Sequence, residues 1–98
     1  MKITKSVTNE ELIVALEGRL DTTTAPELEA ELNKSLKEIQ TFVLDLKELD
    51  YISSAGLRVI LKAQKVMNTQ GSMKLINVSD EIMEVFDITG FVDILTIE

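Results

Sequence analysis

Apolar and polar positions follow two different periods along the chain, and each change of period marks the boundary of a predicted element. Two strand-like segments, Lys2–Val7 and Glu11–Glu17, flank the polar turn Thr8-Asn9-Glu10, which predicts an opening hairpin. The second segment contains the run Leu12–Leu16, which is apolar on both faces and is typical of an interior strand. The first segment carries alternating lysines, so we expect it at the edge of a sheet.

The next apolar pattern has a helical period. One apolar stripe recurs at this spacing, with glutamates and lysines on the opposite face: Leu28, Leu32, Leu36 and Ile39. Thr24 and Glu27 have the spacing of a capping box, and Pro26 suits only the first turn of a helix. The sequence therefore predicts an amphipathic surface helix that begins close to Thr24.

A buried strand followed directly by a long helix is predicted at the centre of the chain. Phe42–Leu46 is short and mostly apolar, as buried strands are. We then expect a helix from about Ala55 to Thr69, with a stop signal at Gln70-Gly71-Ser72. Its apolar residues cover more than half of its circumference, which is typical of a largely buried helix. Two adjacent hydroxyls, Ser53 and Ser54, therefore occupy a strand-to-helix turn.

The remaining elements alternate in the same way. Met73–Val78 is the next predicted strand, and Ser79 caps a short third helix that ends at Thr89-Gly90. A final short strand is predicted at Leu95–Ile97. The order strand-strand-helix-strand-helix-strand-helix-strand predicts one α/β domain over residues 1–98, with a mixed sheet of four or five strands. The expected core is Val14, Leu16, Val43, Leu44, Leu46, Leu57, Ile60, Leu61, Leu75, Ile76, Ile82 and Phe86.

Composition narrows the chemistry available to the chain. Its 98 residues include no cysteine and no histidine, which removes thiolate nucleophiles, disulfides and the commonest general base and zinc ligand. The net charge of −7 argues against a nucleic-acid partner, because no basic stripe is present. Apolar runs are too short to cross a membrane, and no leader-like segment follows the first lysines. We therefore expect a cytoplasmic protein without a cofactor that binds other proteins.

Three arrangements of residues that could carry chemistry are not supported by the sequence. Ser54 and Gly56 form half of a hydrolase nucleophile elbow, but Ile52 replaces the first glycine and no histidine can serve as base. Two acid pairs, Asp45 with Asp50 and Asp80 with Glu81, could hold a cation through oxygen. Asp45 lies inside an apolar strand pattern, however, and the other three acids are typical of caps and loops. No glycine-rich phosphate loop is present. What remains is a serine at a helix N-terminus, which can act as a cap or carry negative charge.

The turns on either side of the first helix carry a resemblance. Gly18-Arg19-Leu20-Asp21 with its threonine-rich cap, Val43-Leu44-Asp45-Leu46, and Ile52–Leu57 together resemble the STAS domain of bacterial anti-sigma factor antagonists over essentially the whole chain. The resemblance implies a STAS-like fold and a regulatory protein that is not an enzyme. It also implies control by an anti-sigma factor that is a serine kinase and by a PP2C-type phosphatase. We expect a monomer or a weak dimer.

Residue by residue, the resemblance places the phosphorylated serine at Ser54, the family glycine at Gly56 and the acid of the earlier loop at Asp21. The aspartate that usually precedes the target is Ser53 here, which makes Ser53 the alternative acceptor. The expected partner surface is Asp21, Thr22, Ser53, Ser54, Gly56, Leu57 and Arg58. Gly56 has two interpretations, as room for a kinase's nucleotide or as helix-to-sheet packing. A non-phosphorylated module that binds a small ligand or anion remains the alternative function.

Overall fold

Strands and helices alternate after an opening hairpin in the computed structural model, which describes residues 1–98. The strands are β1 (Lys2–Thr8), β2 (Glu11–Leu20), β3 (Thr41–Ile52) and β4 (Ser72–Ile76). The helices are α1 (Ala25–Ser35), α2 (Ser54–Gln70) and α3 (Asp80–Thr89), and α3 is followed by a 3-10 turn at Phe91–Asp93. The predicted α/β class and the order of elements up to α3 are confirmed.

The four strands form one mixed sheet in the order β1-β2-β3-β4. β1 is antiparallel to β2, whereas β2, β3 and β4 are parallel to one another. β1 lies at the edge and β2 is interior, as the lysines of the first strand and the apolar run of the second predicted. Because β2 and β3 are parallel, their carboxyl ends meet at the same edge of the sheet, where Leu20 is opposite Ile52.

Alternate residues of the strands join the apolar stripes of the helices in one buried cluster, in which Leu12, Phe42, Leu44 and Leu75 are completely buried. All predicted core residues are buried except Leu61 and Ile76, which are only partly buried. Leu61 lies beside a surface groove on α2. Ile76 is opposite Asp45 in the register, on the other face of the sheet from Leu44.

Two strands extend further than the hydrophobic pattern predicted. β2 continues past Glu17 to Leu20, and β3 continues past Leu46 to Ile52. The register between these strands shifts after Ala15 and again after Gly18, so the buried residues of the second half of β3 are three apart, at Leu46, Leu49 and Ile52. Bulges of this kind make a strand difficult to predict from sequence, because they interrupt the two-residue apolar period by which strands are recognised.

The predicted final strand is reduced to a single residue. Ile97 pairs in parallel with Leu75, and Leu75 N–H donates to the carbonyl of Thr96 at 2.9 Å, but no strand forms over 95–97. The sheet therefore has four strands. No helix in the structure has both the length and the apolar character needed to cross a membrane.

Gly71 ends α2 for a steric reason. Its φ of 176° is ordinary extended backbone, so the residue does not supply the left-handed cap that a glycine at a helix end usually indicates. A Cβ at this position would lie 1.9 Å from the carbonyl oxygen of Gln40. The chain passes close to Gln40 because Ser72 N–H donates to that same carbonyl at 2.9 Å as β4 begins.

Candidate functional site

The turn after β2 and the turn after β3 are neighbours at the carboxyl edge of the sheet. Leu20 is opposite Ile52 in the parallel register, and Ser53 N–H donates to the carbonyl of Leu20 at 2.9 Å. Asp21 follows Leu20 directly, so it lies beside the start of α2. Parallel pairing thus brings together the two turns that carry the resemblance, although they are separated by more than thirty residues in the sequence.

Ser53 and Ser54 have different roles in the helix start. Ser53 is the N-cap, with an extended backbone (φ −101°, ψ 175°), and its Oγ accepts a hydrogen bond from Gly56 N–H at 3.5 Å. Ser54 is the first residue of α2 and is exposed. The capping function therefore belongs to Ser53 and leaves the Ser54 hydroxyl available. Aspartate and serine are comparable N-caps, so the serine at the position of the family's usual aspartate preserves the cap.

Asp21 organises the turn that leads into α1. Its Oδ1 accepts hydrogen bonds from Thr24 N–H at 3.1 Å and Thr23 N–H at 3.0 Å. The Thr24 hydroxyl accepts from Asp21 N–H and donates to the carbonyl of Arg19, both at 2.8 Å. The predicted capping box of Thr24 with Glu27 is wrong, because the backbone of Thr24 is already helical and its side chain makes no cap hydrogen bond.

The same contacts explain the acidity of Asp21. The Thr24 amide, helped by the Thr23 amide and the positive charge of Arg19, holds the pKa of the Asp21 carboxyl below its ordinary value against the opposing effect of partial burial. Asp21 is therefore ionised at neutral pH. It places a fixed negative charge next to the start of α2.

Gly56 lies in the first turn of α2 and is packed against β2. A Cβ there would lie 2.6 Å from Leu20 Cγ and 3.0 Å from the Leu20 carbonyl oxygen. Real Cβ atoms do not approach other atoms this closely, so α2 would have to move away from the sheet. Of the two interpretations of this glycine, helix-to-sheet packing has direct structural support.

Arg19 and Tyr51 add a contact that the sequence analysis missed. The Arg19 guanidinium lies 4.1 Å from the centre of the Tyr51 ring, and its Nε is 3.6 Å from Asp21 Oδ2. Each residue lies two positions before its turn, and the parallel register makes them partners across the strands. The equal spacing of Arg19 from Asp21 and of Tyr51 from Ser53 could have predicted this contact. The prediction also requires, however, that β2 and β3 are adjacent, which the spacing alone does not show.

The remaining predicted site residues divide by exposure. Thr22 and Arg58 are exposed and line an open groove of about 420 Å³ that runs between α1 and α2 from Ala55 as far as Lys65. Three basic side chains follow the α2 side of this groove, and α2 has no acidic residue: Arg58, Lys62 and Lys65. Leu57 is only 6% exposed and belongs to the core, as does the buried Gly56. The accessible members of the predicted surface are thus Thr22, Ser54 and Arg58, with Asp21 and Ser53 partly exposed.

Comparison with known proteins places the chain in a family. A STAS domain model matches residues 2–98. A Bordetella bronchiseptica protein named as an anti-sigma factor antagonist, BtrV, is 41% identical over 99% of this chain and 85% of its own length. The anti-sigma-B factor antagonist of Bacillus subtilis is 35% identical over 86% of this chain and 78% of its own.

A solved structure confirms the fold. SpoIIAA, an anti-sigma factor antagonist and Bacillus cell fate determinant, is similar in both of its forms. The unphosphorylated form has a TM-score of 0.78 at 19% identity, covering 99% of this chain and 87% of that one. The phosphorylated form has a TM-score of 0.77 at 20% identity, covering 99% and 91%. The shared fold is thus equally close to the two states of that protein.

Proposed function

This chain belongs to the STAS domain family, and on that premise we propose that it is an anti-sigma factor antagonist whose binding to an anti-sigma factor is switched by phosphorylation of Ser54. One structural observation carries the choice of residue. Ser54 is exposed at the first position of α2, and the capping hydrogen bond is made by its neighbour Ser53. Because the Ser54 hydroxyl makes no capping hydrogen bond, it can be phosphorylated and dephosphorylated without disturbing the fold.

The helix supports a phosphoryl group at this position. Phosphoserine carries about two negative charges at neutral pH, and the N-terminus of a helix offers free amide groups and the positive end of its dipole. α2 has no acidic residue in its first turn to compete for those groups, and Arg58 lies one turn further along. The domain can therefore hold the modification with little rearrangement.

A docked partner cannot make the same adjustment. A protein seated on Thr22, Ser54 and Arg58 would cover the hydroxyl, and a phosphate there would meet desolvation and any acidic group on the facing surface. Asp21 adds its own negative charge to this edge. The unmodified protein then binds the anti-sigma factor, and the phosphorylated protein releases it.

The enzymes of this cycle follow from the same proposal. The anti-sigma factor is also the serine kinase that modifies Ser54, and a PP2C-type phosphatase reverses the reaction in the cytoplasm. This chain supplies the acceptor and the recognition surface, and it performs no catalysis itself. Asp21 and Thr22 contribute the part of the surface that comes from the turn after β2.

The test is site mapping with matched serine variants. Wild type, Ser54→Ala and Ser53→Ala are incubated with the cognate kinase and ATP, and the products are analysed by intact mass and peptide mapping. We expect one phosphoryl group in wild type and in Ser53→Ala, and none in Ser54→Ala. Phosphate that persists in Ser54→Ala and disappears in Ser53→Ala would assign the switch to Ser53 instead.

The groove beside the site favours one second candidate. Lys62 is paired with Glu29 of the same groove at 2.7 Å, but Arg58, Lys65 and the apolar floor suit a small anionic ligand, which would make the chain a binding module without phosphorylation. Titration with inorganic phosphate or sulfate, followed by NMR, tests this function directly. Saturable shifts around Arg58 and Lys65, together with no phosphate incorporation by any kinase tested, would favour it over the switch.

A further inference from the structure

The carboxyl-terminal quarter of the chain has an unusual charge distribution. Residues 75–98 contain six acidic residues and no lysine or arginine, in a chain whose net charge is −7. The acids are Asp80, Glu81, Glu84, Asp87, Asp93 and Glu98. All are exposed, and only Glu98 has a salt bridge, to Lys74 at 3.4 Å. Five unpaired acids therefore lie on α3 and the segment after it, and they account for most of the net charge of the protein.

Exposed apolar side chains lie in the same region. Ile88 is 77% exposed, Ile94 52% and Val92 37%. These are three of the seven large apolar residues that are exposed in the whole chain, and they fall within residues 88–94. Single exposed apolar residues are normal, but a group of them rimmed by charge is typical of a protein–protein contact surface. We call this surface, residues 84–94, the α3 face.

The α3 face is remote from the Ser54 turn. Ser54 follows the carboxyl end of β3. Ile97 pairs with Leu75 in parallel, so the preceding residues, including Ile94, approach from the side where β4 begins. The first residue of β4, Ser72, is level with Thr41 at the start of β3. A protein bound at Ser54 therefore leaves the α3 face uncovered.

From these observations we infer that the α3 face is a second docking surface, for a basic amphipathic segment of another protein. The exposed isoleucines supply the apolar contact, and Glu84, Asp87 and Asp93 supply charges that lysine or arginine on the partner would neutralise. An acidic surface of this kind repels anionic lipid and nucleic acid, and a second copy of this chain carries the same net charge. The occupant is thus a different, basic protein, and it can bind while the anti-sigma factor is engaged or released.

The test uses a synthetic amphipathic peptide of lysine and leucine as the probe, with a glutamate and leucine peptide of equal length as its control. Binding to the full chain is measured by fluorescence anisotropy at low and at moderate salt, and the contact is mapped by NMR chemical shifts. We expect only the lysine peptide to bind, with the largest shifts at residues 84–94 and weaker binding as salt rises.

Two variants with matched properties decide the location. Ile88→Ser/Ile94→Ser removes the apolar contact, and Val7→Ser/Ile13→Ser removes two exposed apolar residues elsewhere. The first double variant should bind the lysine peptide about tenfold or more weakly than wild type, and the second should bind it with unchanged affinity. Circular dichroism checks that both variants are folded. Equal losses in the two variants, shifts centred outside the α3 face, or no binding by wild type would overturn the inference.

Sedimentation velocity over a range of protein concentrations tests whether a second copy of this chain occupies the α3 face. A dimer that forms in wild type and is lost in Ile88→Ser/Ile94→Ser would show that the α3 face binds a second copy, which contradicts a foreign basic partner. A species that stays monomeric in both proteins agrees with the inference.

Discussion

Ser53 and Ser54 have the same side chain, and the backbone decides what each can do. Ser53 has the extended conformation from which an N-cap side chain reaches the amides of the first turn, and Ser54 is already helical and exposed. The sequence could place both serines at the turn, because the apolar strand and the helical stripe bracket them. It could not decide which one caps, since that depends on where the helix begins to within one residue.

The division of roles predicts different stability effects. Ser53→Ala removes the cap and should cost about 0.5–1 kcal/mol, toward the lower end of the range for caps because the hydrogen bond is long at 3.5 Å. Ser54→Ala alters an exposed position and should change stability by less than about 0.5 kcal/mol. Urea unfolding followed by circular dichroism measures both. A larger loss in Ser54→Ala than in Ser53→Ala would contradict the assignment of the cap.

Asp21 gives a prediction that depends on pH. Its pKa in the folded protein is below the ordinary value of 3.8, so its ionised form stabilises the fold above that value, and this contribution is lost as pH falls through 3.8 toward the folded pKa. Asn at this position can still accept from both threonine amides, so Asp21→Asn should lower the melting temperature by no more than about 5 °C at pH 7.

The pH series supplies the control. The difference in melting temperature between wild type and Asp21→Asn should begin to shrink as pH falls through 3.8 and should continue to shrink toward the lower pKa of the folded protein. Glu31, whose pKa is lowered by hydrogen bonds from Lys5 and Ser35, titrates in both proteins and cancels in the comparison. A difference that stays constant across this range would show that the charge of Asp21 adds nothing to stability. Kinase recognition of Asp21→Asn, measured in the same samples, separates its functional role from its structural one.

At the scale of elements, the position of α2 on the sheet depends on Gly56. Gly56→Ala places a Cβ 2.6 Å from Leu20 Cγ, and the displacement of the helix should cost about 1–3 kcal/mol, reduced by the better helix propensity of alanine. A double-mutant cycle identifies the cause. Gly56→Ala should cost clearly less in a Leu20→Ala background, where the clashing side chain is absent. Additive losses would mean that the Leu20 side chain is not what requires glycine.

Helices and strands with a regular apolar period were predictable from the sequence, and those whose apolar period is interrupted were predictable only in part. The helix caps at Ser79 and Gly90 formed as their residue types predicted, since such caps depend on local geometry. The second half of β3 was missed because its pairing with β2 is irregular, and the strand at Leu95–Ile97 was overestimated because only one residue finds a partner. Strand pairing is a long-range property that a local pattern does not contain.

Alanine substitutions at buried and partly buried positions test how the helices and strands pack in the core. Leu44 and Ile60 are completely buried, on β3 and α2 respectively, and their replacement by alanine should each cost about 2–5 kcal/mol. Leu61 is the matched control, because it is one residue further along α2 and only partly buried. Leu61→Ala should cost clearly less than Ile60→Ala in chemical denaturation. Equal losses would place Leu61 in the core, as the sequence pattern first predicted.

On the scale of the whole molecule, charge is separated between two surfaces. α2 carries three basic residues and no acid, whereas residues 75–98 carry six acids and no base. Net charge alone, which indicated only that partners are proteins, gave no sign of this separation. It became visible when the fold placed the start of α2 at one edge of the sheet and the segment before Ile97 at the other. A phosphate on Ser54 would add its charge beside Asp21, at the start of a helix that has no acidic residue of its own.

The charge introduced by modification, rather than its bulk, should control the partner. Ser54→Asp adds one negative charge at the N-terminus of α2, where the helix dipole favours it, so the melting temperature should stay within a few degrees of wild type. Its affinity for the anti-sigma factor should fall by about tenfold, since part of the phosphate charge is mimicked. Surface plasmon resonance with immobilised anti-sigma factor measures the change.

Two variants isolate the effect of that charge. Ser54→Asn has nearly the same size as Ser54→Asp without the charge, and it should bind as wild type does. Ser53→Asp places the same charge one residue earlier, in the cap where it is directed toward Gly56 N–H, and it should also retain binding. Equal weakening by Ser54→Asn and Ser54→Asp would mean that steric obstruction controls the partner. Weakening by Ser53→Asp alone would move the charge-sensitive contact to the cap itself, and the switch at Ser54 would then have no support.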